Sequence, residues 1–310
     1  MTNNEPCSKA DPITKVQIKR QLHKIKPYKA PRPDGILNIV LTKCADILLD
    51  RLFHIYTAIY EKRLHYEPWK YFTTIVLHKP DKPRYNIPKV YRPIALLNTM
   101  WKVLMGILAE QLSYYTEKYH LLLNHHFGGW PGWSTTDAIH LLTYRIKDAW
   151  RKGKVASVLF LDIEGAFPNA VPEKLSSNLR KRKVPLKIVD FTKEMLANRA
   201  TRLRFDDYNS DIIPINNGIG QGDPLSMGLY QYYNVDLLDI PAEANKLASA
   251  YIDDALLFAA ASTFKETHEI IKGMMTKEHG VIEWSKDHNS PLEYSKLALI
   301  DFAHQNHHTH

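Results

Sequence analysis

The chain has 310 residues, 45% of them hydrophobic and 24% charged, which is material for one large core or two smaller ones and excludes a disordered polyelectrolyte. No apolar run reaches the length of a membrane span, residues 1–6 lack the basic and apolar regions of a secretory signal, and two cysteines, Cys7 and Cys44, make neither a disulfide framework nor a zinc set. A formal net charge of +8 favours a polyanionic partner, nucleic acid first.

In chain order, residues 1–10 read as a loose lead-in. Asp11 is expected to cap a short amphipathic helix, with Pro12 at its first position and Ile13, Ile18, Leu22 and Ile25 on its apolar side; Pro27, Pro31 and Pro33 end it. Residues 36–64 read as a long buried helix broken near Asp50, 71–78 as a strand, 79–84 as a basic turn, 91–97 as a second strand and 99–119 as a helix. A Gly/Trp/Pro loop at 125–133 leads to Ser134-Thr135-Thr136-Asp137, which has the form of a capping box opening a helix to Trp150. Helices follow at 172–183 and 186–198, a strand pair at 201–207 and 211–215, a glycine-rich turn at 218–223 and a helix at 224–238. A helix near 263–279 and a strand near 296–302 close the readable part. Cations cluster with aromatics at 24–32, 70–92 and 180–183, a mixture that suits bases stacked beside a tracked backbone and is equally met on solvated helix faces.

Two segments carry chemistry. Val155-Ala156-Ser157-Val158-Leu159-Phe160-Leu161 is a buried-strand run that ends in Asp162. Tyr251-Ile252-Asp253-Asp254 sits between apolar runs, as a hairpin does with its acids at the turn. Either acid group alone is also what a solvated turn contains. Brought together, the three carboxylates suit a pair of divalent metals and phosphoryl chemistry.

An ordered set of segments across roughly residues 12–303 resembles the reverse transcriptase domain of non-LTR, LINE-like retrotransposons. They are Lys29-Ala30-Pro31-Arg32-Pro33-Asp34-Gly35, Tyr91-Arg92-Pro93-Ile94-Ala95-Leu96-Leu97, Phe127-Gly128-Gly129 with Ser134-Thr135-Thr136-Asp137-Ala138, and the stretch from Asp162 to Phe167. Gly220-Gln221-Gly222-Asp223-Pro224-Leu225-Ser226, Tyr251-Ile252-Asp253-Asp254, and Tyr294-Ser295-Lys296 with Phe302 complete the set.

The resemblance implies an α+β right-hand polymerase with fingers and an antiparallel palm sheet packed on helices. The expected layout is a lead-in at 1–10, fingers with the start of the palm at 11–154, palm at 155–303 with a fingers insertion near 172–217, and a tail at 304–310; a thumb is expected to be missing. It implies RNA-directed DNA synthesis on an RNA template from a DNA primer, with deoxynucleotide triphosphates, two Mg2+ ions (Mn2+ as a substitute) and no membrane partner. Asp162, Asp253, Asp254 and the backbone carbonyl of Ile163 are the implied metal ligands, and Lys296 the implied proton donor to pyrophosphate. Lys79 and Arg92 would hold the triphosphate, Gln221 and Gly222 would approach the nucleotide, and Phe167 would act as a steric gate against a 2′-hydroxyl. Trp130, Trp133, Ser134 and Tyr251 fall in segments implied to touch nucleic acid. A nuclear or cytoplasmic site is expected.

The chain departs from the family pattern at Arg32, a glycine position, at Trp130 and Trp133, arginine positions, at Gly220, a proline position, and at Pro168, a polar one. Arginine-to-tryptophan and glycine-to-arginine are each single-base changes. The alternative readings are therefore a decayed or truncated remnant that at most binds nucleic acid, and a maturase-like or RNA-copying palm polymerase.

Overall fold

Hydrophobic periods of 3.6 and 2 alternate along the chain, and helices and strands alternate with them. In the computed structural model, residues 5–29, 32, 34–81, 83–129, 132–241, 243 and 245–304 are described. The class is α+β. The helices are α1 Lys15–Lys24, α2 Asn38–Lys43, α3 Ala45–Lys62, α4 Thr99–Tyr119, α5 Thr135–Arg151, α6 Ala166–Asn169, α7 Pro172–Lys181, α8 Leu186–Leu196, α9 Ser226–Leu238, α10 Phe264–Thr276 and α11 Val281–Asp287. The strands are β1 Tyr71–His78, β2 Tyr91–Leu96, β3 His126–Phe127, β4 Val155–Asp162, β5 Arg199–Phe205, β6 Tyr208–Ile215, β7 Lys246–Tyr251, β8 Asp254–Ala261 and β9 Ala298–Phe302. The chain divides into two units, one made of Met1–Tyr119 with Leu179–Ser226 and the other of His120–Asn178 with Met227–His310.

The first unit is built on α4, which is apolar nearly all round and buries Trp101, Leu104, Met105, Ile107, Leu108 and Leu112. Ile18 and Leu22 of α1 and Tyr56 and Tyr60 of α3 are fully buried in the same unit, and Tyr56 Oη donates to the Met100 carbonyl. Its sheet has the order β2-β1-β5-β6, with β1 and β5 parallel and the other neighbours antiparallel. One sheet face is buried through Phe72, Thr74, Ala95 and Thr201.

Two local expectations change here. α1 is capped by Thr14, not Asp11: Thr14 and Gln17 form the capping box, while the Asp11 N–H is committed to Tyr115 Oη. The 36–64 segment breaks at Cys44, not Asp50, into α2 and α3. The buried Asn38 amide donates to Lys26 O and accepts from Thr99 Oγ1, so α2 is held by its own anchors, and Cys44 takes a bridging conformation at φ −96°, ψ 15°.

The second unit carries the sheet β3-β7-β8-β4-β9. Its pairs are antiparallel except β3 with β7, which is parallel and was not foreseen; nor were α6 and α11. β4 and β8 are covered on both sides, which is why they read as unbroken apolar runs. Ile146 and Ala149 of α5 pack with Ala156, Val158, Phe258 and Ala260 on one face. On the other, Ser157 Oγ hydrogen-bonds Thr267 Oγ1 of α10. Among the described residues no helix is long and apolar enough to cross a membrane.

Candidate active site

Register brings the acids together. β4 and β8 are paired residue for residue from Val155 with Ala261 to Asp162 with Asp254. Directly opposed residues share a face, with Cα atoms about 4.5–5.5 Å apart, so Asp162 and Asp254 stand side by side at the sheet end. Tyr251 pairs with Asp254, which leaves Ile252-Asp253 as a two-residue turn. Burial, then the charges of Asp254 and Asp162, raise the Asp253 carboxyl above its ordinary pKa. Partial desolvation and then Asp162 raise that of Asp254. Lys296 lies on the turn before β9, and its Nζ donates to Asp162 Oδ2 at 2.8 Å; that bond raises the lysine pKa. Ile163 bridges Leu292 through the Asp162 carbonyl, which accepts from Glu293 N–H, and the Glu164 N–H, which donates to Pro291 O. The carbonyl of Ile163 itself is not used in that bridge.

The hairpin turn is strained and braced. Ile252 has φ +59°, the left-handed region that is costly for a β-branched residue, and a positive φ at the first turn position matches a type II′ hairpin. Its N–H donates to Phe127 O, and its carbonyl accepts from Asn234 Nδ2 at 2.7 Å. Gly128, at φ +84°, must be glycine here, because a Cβ would lie 2.8 Å from Ile252 Cγ1. Gln231 Nε2 donates to the Gly128 carbonyl. The Phe127-Gly128-Gly129 segment is therefore the support of the acidic turn. Asn234 and Gln231, fully buried on α9, were missed in the sequence; their signal is a pair of amides three apart in an otherwise apolar helix.

Tyr251 is half-buried on β7, opposite Phe127 of β3. Trp133 is exposed and packs edge-on to Phe127 at 5.3 Å. Ser134 is the N-cap of α5, with its hydroxyl and N–H bonded to Asp137. Trp130 lies outside the described residues. Phe167, half-buried on α6, stacks on Tyr230 with centroids 5.0 Å apart and planes at 28°. Tyr230 is fully buried, and its hydroxyl finds no partner among the described residues. Burial, then the Asp253 charge, push its pKa up.

The other named residues lie in the first unit. Lys79 follows β1, is half-buried, and donates from Nζ to Lys89 O at 2.6 Å. Arg92 is exposed on β2 opposite Leu77. Gln221 accepts from Ala95 N–H of the same strand, and Gly222, at φ +104°, approaches so closely that a Cβ would meet Ala95 O at 3.3 Å. Arg92, Gln221 and Gly222 thus share one strand's neighbourhood. Asp223, buried, anchors the turn by accepting from Trp101 Nε1 and Leu225 N–H. Burial raises its pKa to about 6, against the pull of Lys102 and Arg199, and burial lowers the Arg199 pKa to about 10. Gly35 takes a positive φ, at +70°.

Hard oxygen donors with excess negative charge fit magnesium. Among the described residues no three His, Cys, Asp or Glu groups form a cage by themselves, yet Mg2+ commonly takes one or two carboxylates and leaves its remaining positions to water and phosphate. An ammonium already lies against Asp162, and burial first, neighbouring carboxylate charge second, raises the pKa values of Asp253 and Asp254.

The family described as reverse transcriptase (RNA-dependent DNA polymerase) matches residues 77–297. Among proteins of Drosophila melanogaster, the chain is 27% identical over 283 residues to a probable RNA-directed DNA polymerase from transposon BS, covering 87% of this chain and 31% of that protein. It is 27% identical over 309 residues to the corresponding protein from transposon X-element, covering 98% and 32%. The RNA-directed DNA polymerase from mobile element jockey is 25% identical over 299 residues, covering 94% and 32%. The chain spans about a third of the length of these relatives.

Proposed function

The chain belongs to the reverse transcriptase (RNA-dependent DNA polymerase) family, and on that premise we propose that it is the polymerase domain of a LINE-like mobile element, copying an RNA template into DNA from a primer 3′-hydroxyl. The first unit is read as fingers and the second as palm. The observation that carries the proposal is the register that sets Asp162 opposite Asp254, with Asp253 in the adjoining turn.

The primer oxygen attacks the α-phosphorus of a deoxynucleotide triphosphate, the bond to the bridging oxygen breaks, and pyrophosphate leaves. Asp162, Asp253, Asp254 and the Ile163 carbonyl would hold two magnesium ions, or manganese, which when bound supply charge stabilisation for this transfer. Lys296 holds a proton beside Asp162 and would deliver it to pyrophosphate. Arg92 and Lys79 bind triphosphate oxygens, the arginine as a fork and the lysine as a point charge. The tight Gln221-Gly222 turn lets backbone approach the nucleotide. Phe167, backed by Tyr230, excludes a ribose 2′-hydroxyl. Trp133, Ser134 and Tyr251 border the nucleic acid, and the protein works in the nucleus or cytoplasm.

Primer extension on an RNA template with Mg2+ and deoxynucleotides tests this, beside an Asp253→Asn control. Losing several kcal/mol of charge stabilisation corresponds to a rate drop of ~10³-fold or more in the control. Primer–template binding without extension would mark a decayed remnant, and a preference for ribonucleotides an RNA-copying enzyme.

A further inference from the structure

The second unit holds a cavity at the end of its sheet opposite the acidic turn. β4 is 8 residues long, so its first residue, Val155, lies ~23 Å from Asp162; the register pairs Val155 with Ala261, the last residue of β8. There the C-terminal half of α5, the start of β4 and the end of β8 enclose about 110 Å³, lined by Arg145, Asp148, Lys152, Lys154 and Asn245 over a buried floor of Phe258 and Ala260. The cavity opens into a trough of about 720 Å³ that shares Lys154, Asn245 and Ala260 with it. Arg145 and Lys154 are half-buried, and the Arg145 Nε is fully buried with no hydrogen-bond partner among the described residues. Asp148, the carboxylate of the cavity lining, holds Lys152 at 2.7 Å; its charge reaches Arg145 without a direct bond. Among the described residues neither Arg145 nor Lys154 forms an ion pair. Backbone bonds fix the frame: the Lys154 N–H donates to Ala149 O, and the Ala260 N–H to Asn245 O.

We propose that this cavity binds a phosphate monoester of a hydroxylated small molecule, with the phosphoryl group between Arg145 and Lys154. Two cations held half out of water without a counter-ion carry a desolvation cost that a bound anion offsets. A monoester brings about −1.5 to −2 charges at pH 7, which matches the two unpaired cations, and a guanidinium fork beside an ammonium suits its terminal oxygens. The outer trough supplies groups for the rest of the molecule: the Ser262 hydroxyl and the Glu269 carboxylate face its hydroxyls, and Ala261 and Ile270 its apolar surface. Glu266 lines that trough beside Glu269. Two carboxylates repel a run of consecutive phosphates, so a small ester fits where a nucleic-acid backbone does not. The site lies at the far end of β4 from the carboxylates and does not rest on the polymerase reading.

The test is calorimetric titration of the whole chain, free of divalent metal, with ribose 5-phosphate, adenosine monophosphate and inorganic phosphate. Both esters should bind, and at least ~10-fold more tightly than inorganic phosphate, because only they reach the trough. Each charge-assisted contact is worth roughly tenfold to a hundredfold in affinity, so Arg145→Gln/Lys154→Gln should weaken ester binding ~100-fold or more. The control pair Lys147→Gln/Arg151→Gln removes the same charge from exposed positions of α5 and should leave the affinity unchanged. Should the glutamine pair fail to fold, amide chemical shifts of the wild-type chain decide: on adding ribose 5-phosphate they should move at Gly153, Lys154, Asn245 and Ala261. Tighter binding of adenosine monophosphate than of ribose 5-phosphate identifies the ligand as a nucleotide, and equal binding as a sugar phosphate; both sustain the site. The proposal is overturned if neither ester binds, if inorganic phosphate binds as tightly as the esters, if the control pair weakens binding equally, if the shifts fall in the first unit or around Asp253, or if a single-stranded RNA without a terminal phosphate displaces the ester from these residues.

Discussion

Lys296 Nζ lies 2.8 Å from Asp162 Oδ2, across 134 positions of sequence. The pair is substantially exposed, with side chains 63% and 31% accessible, and such pairs contribute at most ~1 kcal/mol to folding. The lysine pKa is raised, so the pair's small contribution is full below the ordinary lysine pKa and lost as pH rises through the higher folded value. Lys296→Met should leave the urea midpoint at pH 7 nearly unchanged. Single-turnover nucleotide incorporation should fall ~10²–10⁴-fold, the range of a lost general acid. A large stability loss with normal incorporation would assign the lysine to the fold instead.

Asp223 gives a pH dependence. Its carboxyl is buried and its pKa is raised from 3.8 to about 6, so the folded chain binds this proton more tightly than the unfolded chain does. The contribution is most favourable below the unfolded value, declines as pH rises through the interval from 3.8 to about 6, and is flat above. That displacement corresponds to about 3 kcal/mol. Asp223→Asn cannot ionise, so the wild-type stability minus the variant stability should fall by about that amount between pH 4 and pH 7. Urea titrations of both proteins across this range measure the difference, in which other titrating groups cancel. Parallel curves would show that Asp223 stays ionised through the interval.

The acidic sheet end was legible because both strands that build it are covered on two sides and so read as plain apolar runs into acids. Its supports were hidden. Asn234, Gln231 and Tyr230 look like interior positions of α9, and only pairing distances show that they face the turn and Phe167. The break at Cys44 has neither glycine nor proline to announce it. Asp11 and Thr14 are both good caps, and a tertiary bond to Tyr115 decided between them.

Tyr230 separates stacking from hydrogen bonding. Its ring supports Phe167, and its buried hydroxyl has no partner among the described residues; an unpaired buried hydroxyl costs ~1–3 kcal/mol. Tyr230→Phe should therefore hold or raise the melting temperature and keep discrimination between deoxy- and ribonucleotides. Tyr230→Ala should destabilise by ~3–5 kcal/mol and lower the discrimination ratio, because the Phe167 ring loses its floor. Equal ratios in all three proteins would disconnect this stack from sugar selection.

Gly128 and Ile252 form a coupled pair. A Cβ at residue 128 would sit 2.8 Å from Ile252 Cγ1, and the backbone there has φ +84°. Gly128→Ala should destabilise by ~1–3 kcal/mol through overpacking and strain together. The displaced part is the turn that holds Asp253, so incorporation should drop as well. Ile252→Ala removes the clashing atom and eases a left-handed β-branched residue. In the double variant the clash disappears while the Gly128 backbone strain remains. The stability change should then be less than the sum of the two single changes by ~0.5–3 kcal/mol, the range for residues in contact. Additive changes would mean that Phe127-Gly128 and the acidic turn move independently, and that the strain at Ile252 is held by Asn234 alone.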